Sequence, residues 1–183
     1  ETPYILHLWL GTVPEYSILF TRLVIIELTI DIFNNPLDNA LGASGRVRQF
    51  QIWVSSLLLL IVPLSYLALK VAEYPEIPFV ISILVSILCF FPRLYFVHKF
   101  VALPVRQYLW KVVFVSYRVL IIASLPPLIC YVMMEEDDFY RLIVVCITSC
   151  ISSGICIYWL GLNLPERTYV KKYVAKLPFV KSL

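Results

Sequence analysis

From residue 50 to residue 161 the chain alternates long apolar stretches with short polar ones. Four stretches, 50–69, 79–98, 112–134 and 140–161, each supply about the 20 apolar residues that a helix needs to cross a hydrocarbon core about 30 Å thick. A fifth, 17–34, is apolar enough to insert but carries Thr21, Arg22, Glu27 and Asp31. None alternates in steps of two as a membrane strand would, so the backbone must satisfy itself within helices. The connections are short, which favours antiparallel neighbours. The pattern predicts an all-α, polytopic helix bundle of about five transmembrane spans, followed by a basic tail over 162–183.

The placement of charge orients that bundle. Arg46 and Arg48 follow the first span, Arg93, Lys99, Arg106 and Lys111 lie at or beside the connection after the third, and Arg167, Lys171, Lys172, Lys176 and Lys181 lie in the tail. The opposite side holds only Lys70 and Arg141, beside Glu1, Glu15, Glu73, Glu76, Glu135, Glu136, Asp137 and Asp138. Basic residues collect on the cytoplasmic side. This predicts a cytoplasmic C-terminus and an N-terminal edge outside. Trp9, Trp53, Trp110, Tyr140 and Trp159 sit near predicted span ends, as interfacial aromatics do. In the tail, Tyr169, Val170, Tyr173, Val174 and Leu177 share a helical stripe opposite Lys171, Lys172 and Lys176, which suits either a helix on the leaflet or a solvated basic tail.

Composition agrees with the spans. Of 183 residues, 61% are hydrophobic and 15% charged, and the mean hydropathy is +0.86; soluble domains carry about 25% charged residues. The net charge of +3 is dispersed along one predicted membrane face and does not point to nucleic acid. The first residue is Glu1, and residues 2–10 read as the end of an apolar helix, so the chain is expected to be part of a longer or processed protein. Cys89, Cys130, Cys146, Cys150 and Cys156 all lie in apolar runs, where cysteine acts as a small hydrophobe. His7 and His98 have no ligand partner at metal-binding spacing and read as interfacial residues, and no phosphate-binding loop, nucleophile elbow or zinc-protease motif occurs. No metal, cofactor or hydrolytic machinery is expected.

The first span holds the candidate chemistry. Glu27 lies near its middle, where an ionisable side chain costs about 2.5–3.5 kcal/mol and normally faces a bundle interior or a wet cavity. Asp31, four residues on, shares its face, about 6 Å along the axis. Arg22, five residues before Glu27, is turned about 140° away. One reading is a polar cavity in which Arg22 meets an anionic group while Glu27 and Asp31 handle a coupling Na⁺ or H⁺. The plainer reading lets Arg22 snorkel outward and Asp31 lie at the inner interface. Arg118, near the start of the fourth span, reads as a snorkelling residue. Pro63, Pro92, Pro126 and Pro127 each permit a kink within or at the end of a span.

The stretch 35–51, NPLDNALGASGRVRQFQ, resembles the polysaccharide (O-antigen-type) flippases: an N/P-L segment, a small-residue turn, then a basic and aromatic entry into the next helix. Pro36, Gly42, Gly45, Arg46 and Arg48 carry this cytoplasmic-loop motif. Residues 8–22, LWLGTVPEYSILFTR, and 157–163, IYWLGLN, are similar to an outer loop and a terminal segment of the same family. That family belongs to the multidrug/oligosaccharidyl-lipid/polysaccharide exporter superfamily. The resemblance implies a multi-pass protein of the bacterial inner membrane of which this chain is the C-terminal portion, completed by further N-terminal helices. It also implies a non-enzymatic transporter that moves a polyprenyl-diphosphate-linked oligosaccharide across the membrane by alternating access. A multidrug exporter of the same superfamily and a membrane-embedded enzyme of glycan assembly are the alternatives.

Overall fold

A computed structural model of the chain describes residues 1–134 and 139–174; the acids Glu135, Glu136, Asp137 and Asp138 and the tail positions Lys176, Leu177 and Lys181 lie outside them. All regular structure among the described residues is helical. Four helical segments are long and apolar enough to cross a membrane: Val47–Val71, Ile77–Val101, Val105–Met133 and Phe139–Gly161. The fifth expected span, 17–34, is helical but is not among them, because Arg22, Glu27 and Asp31 all fall within it. The chain forms two compact units, Glu1–Tyr108 and the part from Leu109 onward.

In the first unit, α1 (Thr2–Leu10) precedes α2 (Ser17–Ala43), a helix of 27 residues. The next segment is divided into α3 (Val47–Leu59) and α4 (Ile61–Val71). Pro63 explains the division. It has no N–H to offer the Leu59 carbonyl, and Leu60 turns back to the Leu57 carbonyl at 3.1 Å, three residues away instead of four. Helix α5 (Ile77–Val101) runs through Pro92 without interruption, and α6 (Val105–Tyr108) closes the unit. Helix α5 is the centre of this unit and packs against α2, α3 and α4. Its buried positions include Val85, Cys89, Leu94, Phe96 and Val97, facing Phe33, Leu37, Leu41, Phe50 and Val54 of the neighbours.

Helix α2 departs from the expected outline. The resemblance put Pro36 and Gly42 in a cytoplasmic loop, but both lie inside α2, which continues nine residues past Asn34 to Ala43. Leu37 and Leu41, four residues apart and almost fully buried, hold this extension against the unit's core. The turn itself is confined to Ser44–Arg46. Ser44 and Gly45 donate back to the Leu41 and Gly42 carbonyls, and Gly45 has φ +69°, a conformation open to glycine.

In the second unit, a π-helical turn (Leu109–Phe114) leads into α7 (Val115–Met133), which packs against α8 (Phe139–Cys156) and its π-helical extension Ile157–Gly161. Pro127 removes the N–H that would bond to the Ala123 carbonyl. The buried Ser152 hydroxyl of α8 donates to that carbonyl at 2.8 Å, satisfying it where water is scarce. Helix α9 (Leu164–Val174) follows, with the Glu166 carboxylate accepting the Asn163 N–H at 2.8 Å as in a capping box.

Candidate functional site

In the first unit, two side-chain pairs between helices line one seam, between α2 and α5. Glu27 on α2 accepts a hydrogen bond from the Ser82 hydroxyl on α5. Eleven residues further along each helix, Arg93 Nε donates to Asp38 Oδ1 at 2.7 Å. Both pairs have the same sequence offset of 55, so α2 and α5 run parallel and in register. Phe20 stacking on Phe79 at 4.7 Å supports the same direction at the start of both helices.

The register defines a pattern. On α2, Glu27, Asp31, Asn34 and Asp38 follow at steps of four, three and four; on α5, Ser82, Ser86, Cys89 and Arg93 do the same. Such steps keep residues on one helical face. Asn34, Ser86, Cys89 and Arg93 are buried, while Glu27, Asp31 and Asp38 are half-buried. Asn34 donates to Asp31 Oδ1 at 3.0 Å, and its own Oδ1 is buried without a hydrogen-bond partner. Cys89 lies within electrostatic reach of Asp31, Asp38 and Arg93. The seam is thus a connected polar strip, about 16 Å long by the helical rise, from Glu27 to the Asp38–Arg93 pair.

Of the residues singled out from sequence, Glu27 and Asp31 lie together on this strip. Arg22 is exposed, and among the described residues it has no ion pair, consistent with its turn away from Glu27. Arg118 is exposed on α7. Arg46 and Arg48 are exposed at the start of α3. Arg93 differs most from expectation. The charge pattern assigns it to the connection after the third span, but it is buried eight residues before the end of α5 and ion-paired. The buried end of α2 supplies Asp38, and this pairing makes an interior arginine tolerable.

Sequence reasoning missed Asp38, Arg93, Ser82 and Asn34. A signal existed: the same four-three-four polar spacing occurs in both helices at a constant offset. The expected first span ends at Asn34, so Asp38 falls in the predicted connection and the matching spacing is hidden.

The second unit has a groove of about 690 Å³ between α7 and α8. Ser116, Ser124, Ser149 and Ser153 line it with aliphatic side chains, and Lys111 is its single ionisable residue. It has the chemistry of a helix-packing surface. Among the described residues no cluster of His, Cys, Asp and Glu could hold a metal ion. Comparison with protein-family models, curated proteins and solved structures returned no match to this chain.

Proposed function

We propose that this chain is part of a multi-pass membrane transporter, a flippase that carries a polyprenyl-diphosphate-linked oligosaccharide across the bacterial inner membrane by alternating access. The observation that carries the reading is the α2–α5 seam. Carboxylates on α2 facing hydroxyls on the membrane-length α5 are costly beside lipid and suit a wet interior path. The lipid-linked glycan rests on the sequence resemblance around residues 35–51. Further helices of the same protein would complete the cavity, because alternating access needs two bundles moving about one site.

In this reading Glu27 and Asp31 couple movement to H⁺ or Na⁺, and the exposed Arg22 meets the diphosphate, for which a guanidinium is a strong partner. The Asp38–Arg93 pair holds α2 and α5 together at the end that the charge pattern places in the cytoplasm. Arg93 is therefore a structural cation, and phosphate recognition falls to other arginines. The acidic side of the seam favours a second reading, a multidrug exporter taking cationic substrates. Among the described residues neither Glu27 nor Asp31 makes an ion pair.

The test is Glu27→Gln in the complete transporter. The amide retains the shape and can still bond to Ser82, so the fold should survive. Glycan export should fall or change its dependence on pH or sodium. Export at the wild-type rate from pH 6 to 8, with and without sodium, would remove Glu27 from the pathway. Unchanged glycan export alongside lost drug resistance in Glu27→Gln would favour the second reading.

A further inference from the structure

The end of the first unit where α2 gives way to α3 has a different chemistry from the seam. Helices α3 and α5 are antiparallel there, and Phe50 meets Phe96 edge-on at 6.4 Å. Phe100, in the last turn of α5, has two cations near its ring: the Arg46 guanidinium 5.8 Å and the Lys99 ammonium 5.7 Å from the centroid. Arg48 lines the same hollow of about 410 Å³. No carboxylate lines it, and among the described residues Arg46, Arg48 and Lys99 make no ion pair.

This hollow shares Gln49 with a second groove of about 710 Å³ that runs between α3 and α5. Lys99 and Tyr95 stand toward its cationic end, and Ile52, Trp53 and Phe91 line it further along. Lys99 and Phe91 are eight residues apart on α5, about 12 Å along the axis. Trp53, Phe91 and Tyr95 are all exposed, so the groove opens sideways.

We propose that this composite groove binds one anionic phospholipid, with its headgroup phosphate among Arg46, Arg48 and Lys99 and an acyl chain along Ile52, Trp53 and Phe91. Charge complementarity selects this occupant. Three uncompensated cations at the mouth of an aromatic channel match an amphiphile with an anionic head, and basic pockets between membrane helices are known to take such headgroups. A free anion would leave the apolar channel unused. A neutral lipid would leave the cations unmatched. The inference concerns a membrane component and does not depend on what is transported.

The groove contains its own reporter, Trp53. The full chain carrying Trp9→Phe, Trp110→Phe and Trp159→Phe is reconstituted in phosphatidylcholine vesicles with a minor fraction of brominated phosphatidylglycerol or, in parallel, brominated phosphatidylcholine. The phosphatidylglycerol should quench Trp53 more at equal fraction. Changing Arg46, Arg48 and Lys99 to Gln should lower that preference by about fivefold for each cation removed. Excess inorganic phosphate should not relieve the quenching. Equal quenching by both lipids, an unchanged preference in the triple variant, or release by phosphate would each overturn the proposal. Quenching by neither lipid would mean that protein, such as a second copy, covers the groove, and would overturn it as well. Should the tryptophan variant misfold, native mass spectrometry of the wild-type chain from mixed micelles decides. One retained phosphatidylglycerol, lost in Lys99→Gln, supports the site, and none retained overturns it.

Discussion

Arg93 and Asp38 hold the most consequential single contact in the first unit. Arg93 is buried whereas the Asp38 side chain remains 35% exposed, so the two are not equally dependent on each other. Removing Asp38 strands a guanidinium inside the helix pair. Removing Arg93 strands a carboxylate that water or a neighbouring headgroup can still reach. Breaking a buried pair from one side typically costs about 3–5 kcal/mol, and replacing both partners costs far less. Asp38→Ala should therefore destabilise by about 3 kcal/mol and Arg93→Ala by about 1–2 kcal/mol, the latter reduced by the exposure of Asp38. Asp38→Asn with Arg93→Gln should recover most of the loss. Apparent melting temperatures in detergent check the order; a loss in the double variant equal to the sum of the two single losses would mean that the pair is not coupled.

At the scale of the elements, prolines and glycines determine where helices run and where they stop. Pro63 divides α3 from α4, while Pro92 and the Pro126–Pro127 pair remain inside continuous helices. The membrane context makes this possible when hydroxyls from neighbouring helices satisfy freed carbonyls. Ser152 does so for Ala123; at Pro36, which leaves the Ile32 carbonyl without its helical donor, the Tyr108 hydroxyl instead donates at 2.9 Å to the adjacent Phe33 carbonyl. Gly42 and Gly45, which the sequence motif treats alike, have opposite roles. Gly42 is helical with open space around its Cα, whereas Gly45 has φ +69°. Gly42→Ala should stabilise by about 0.5 kcal/mol, and Gly45→Ala should destabilise by about 1–2 kcal/mol. Denaturation of the two variants side by side distinguishes a helix ending at Ala43 from a loop beginning at Asn35, for which Gly42→Ala would bring no gain.

For the whole molecule, charge predicts an orientation. Arg46 and Arg48 lie at one end of α3, and Glu73 and Glu76 lie beyond the other end of α4. In a cysteine-free background, a cysteine at Glu73 should react with an impermeant reagent added outside the cell. A cysteine at Arg48 should react only after permeabilisation. The reverse pattern would invert the orientation and move the proposed lipid site to the outer leaflet.

Much of this protein was legible from local pattern alone. Four membrane-length helices, their approximate limits and the shared face of Glu27 and Asp31 all follow from hydropathy and helical period, which depend only on neighbours in sequence. The extension of α2 past Pro36 was not legible. It depends on Leu37 and Leu41 burying themselves in the unit's core and on Asp38 finding Arg93, 55 residues away. The pairing of α2 with α5, and its register, belong to the same class. Several helices could have packed against the polar face of α2, and each spacing by itself is compatible with many offsets. Only the summed packing of Phe20 on Phe79, Glu27 on Ser82 and Asp38 on Arg93 selects one offset. Helical period is a property of one segment, whereas register is a property of two, and the tertiary structure alone brings the two together.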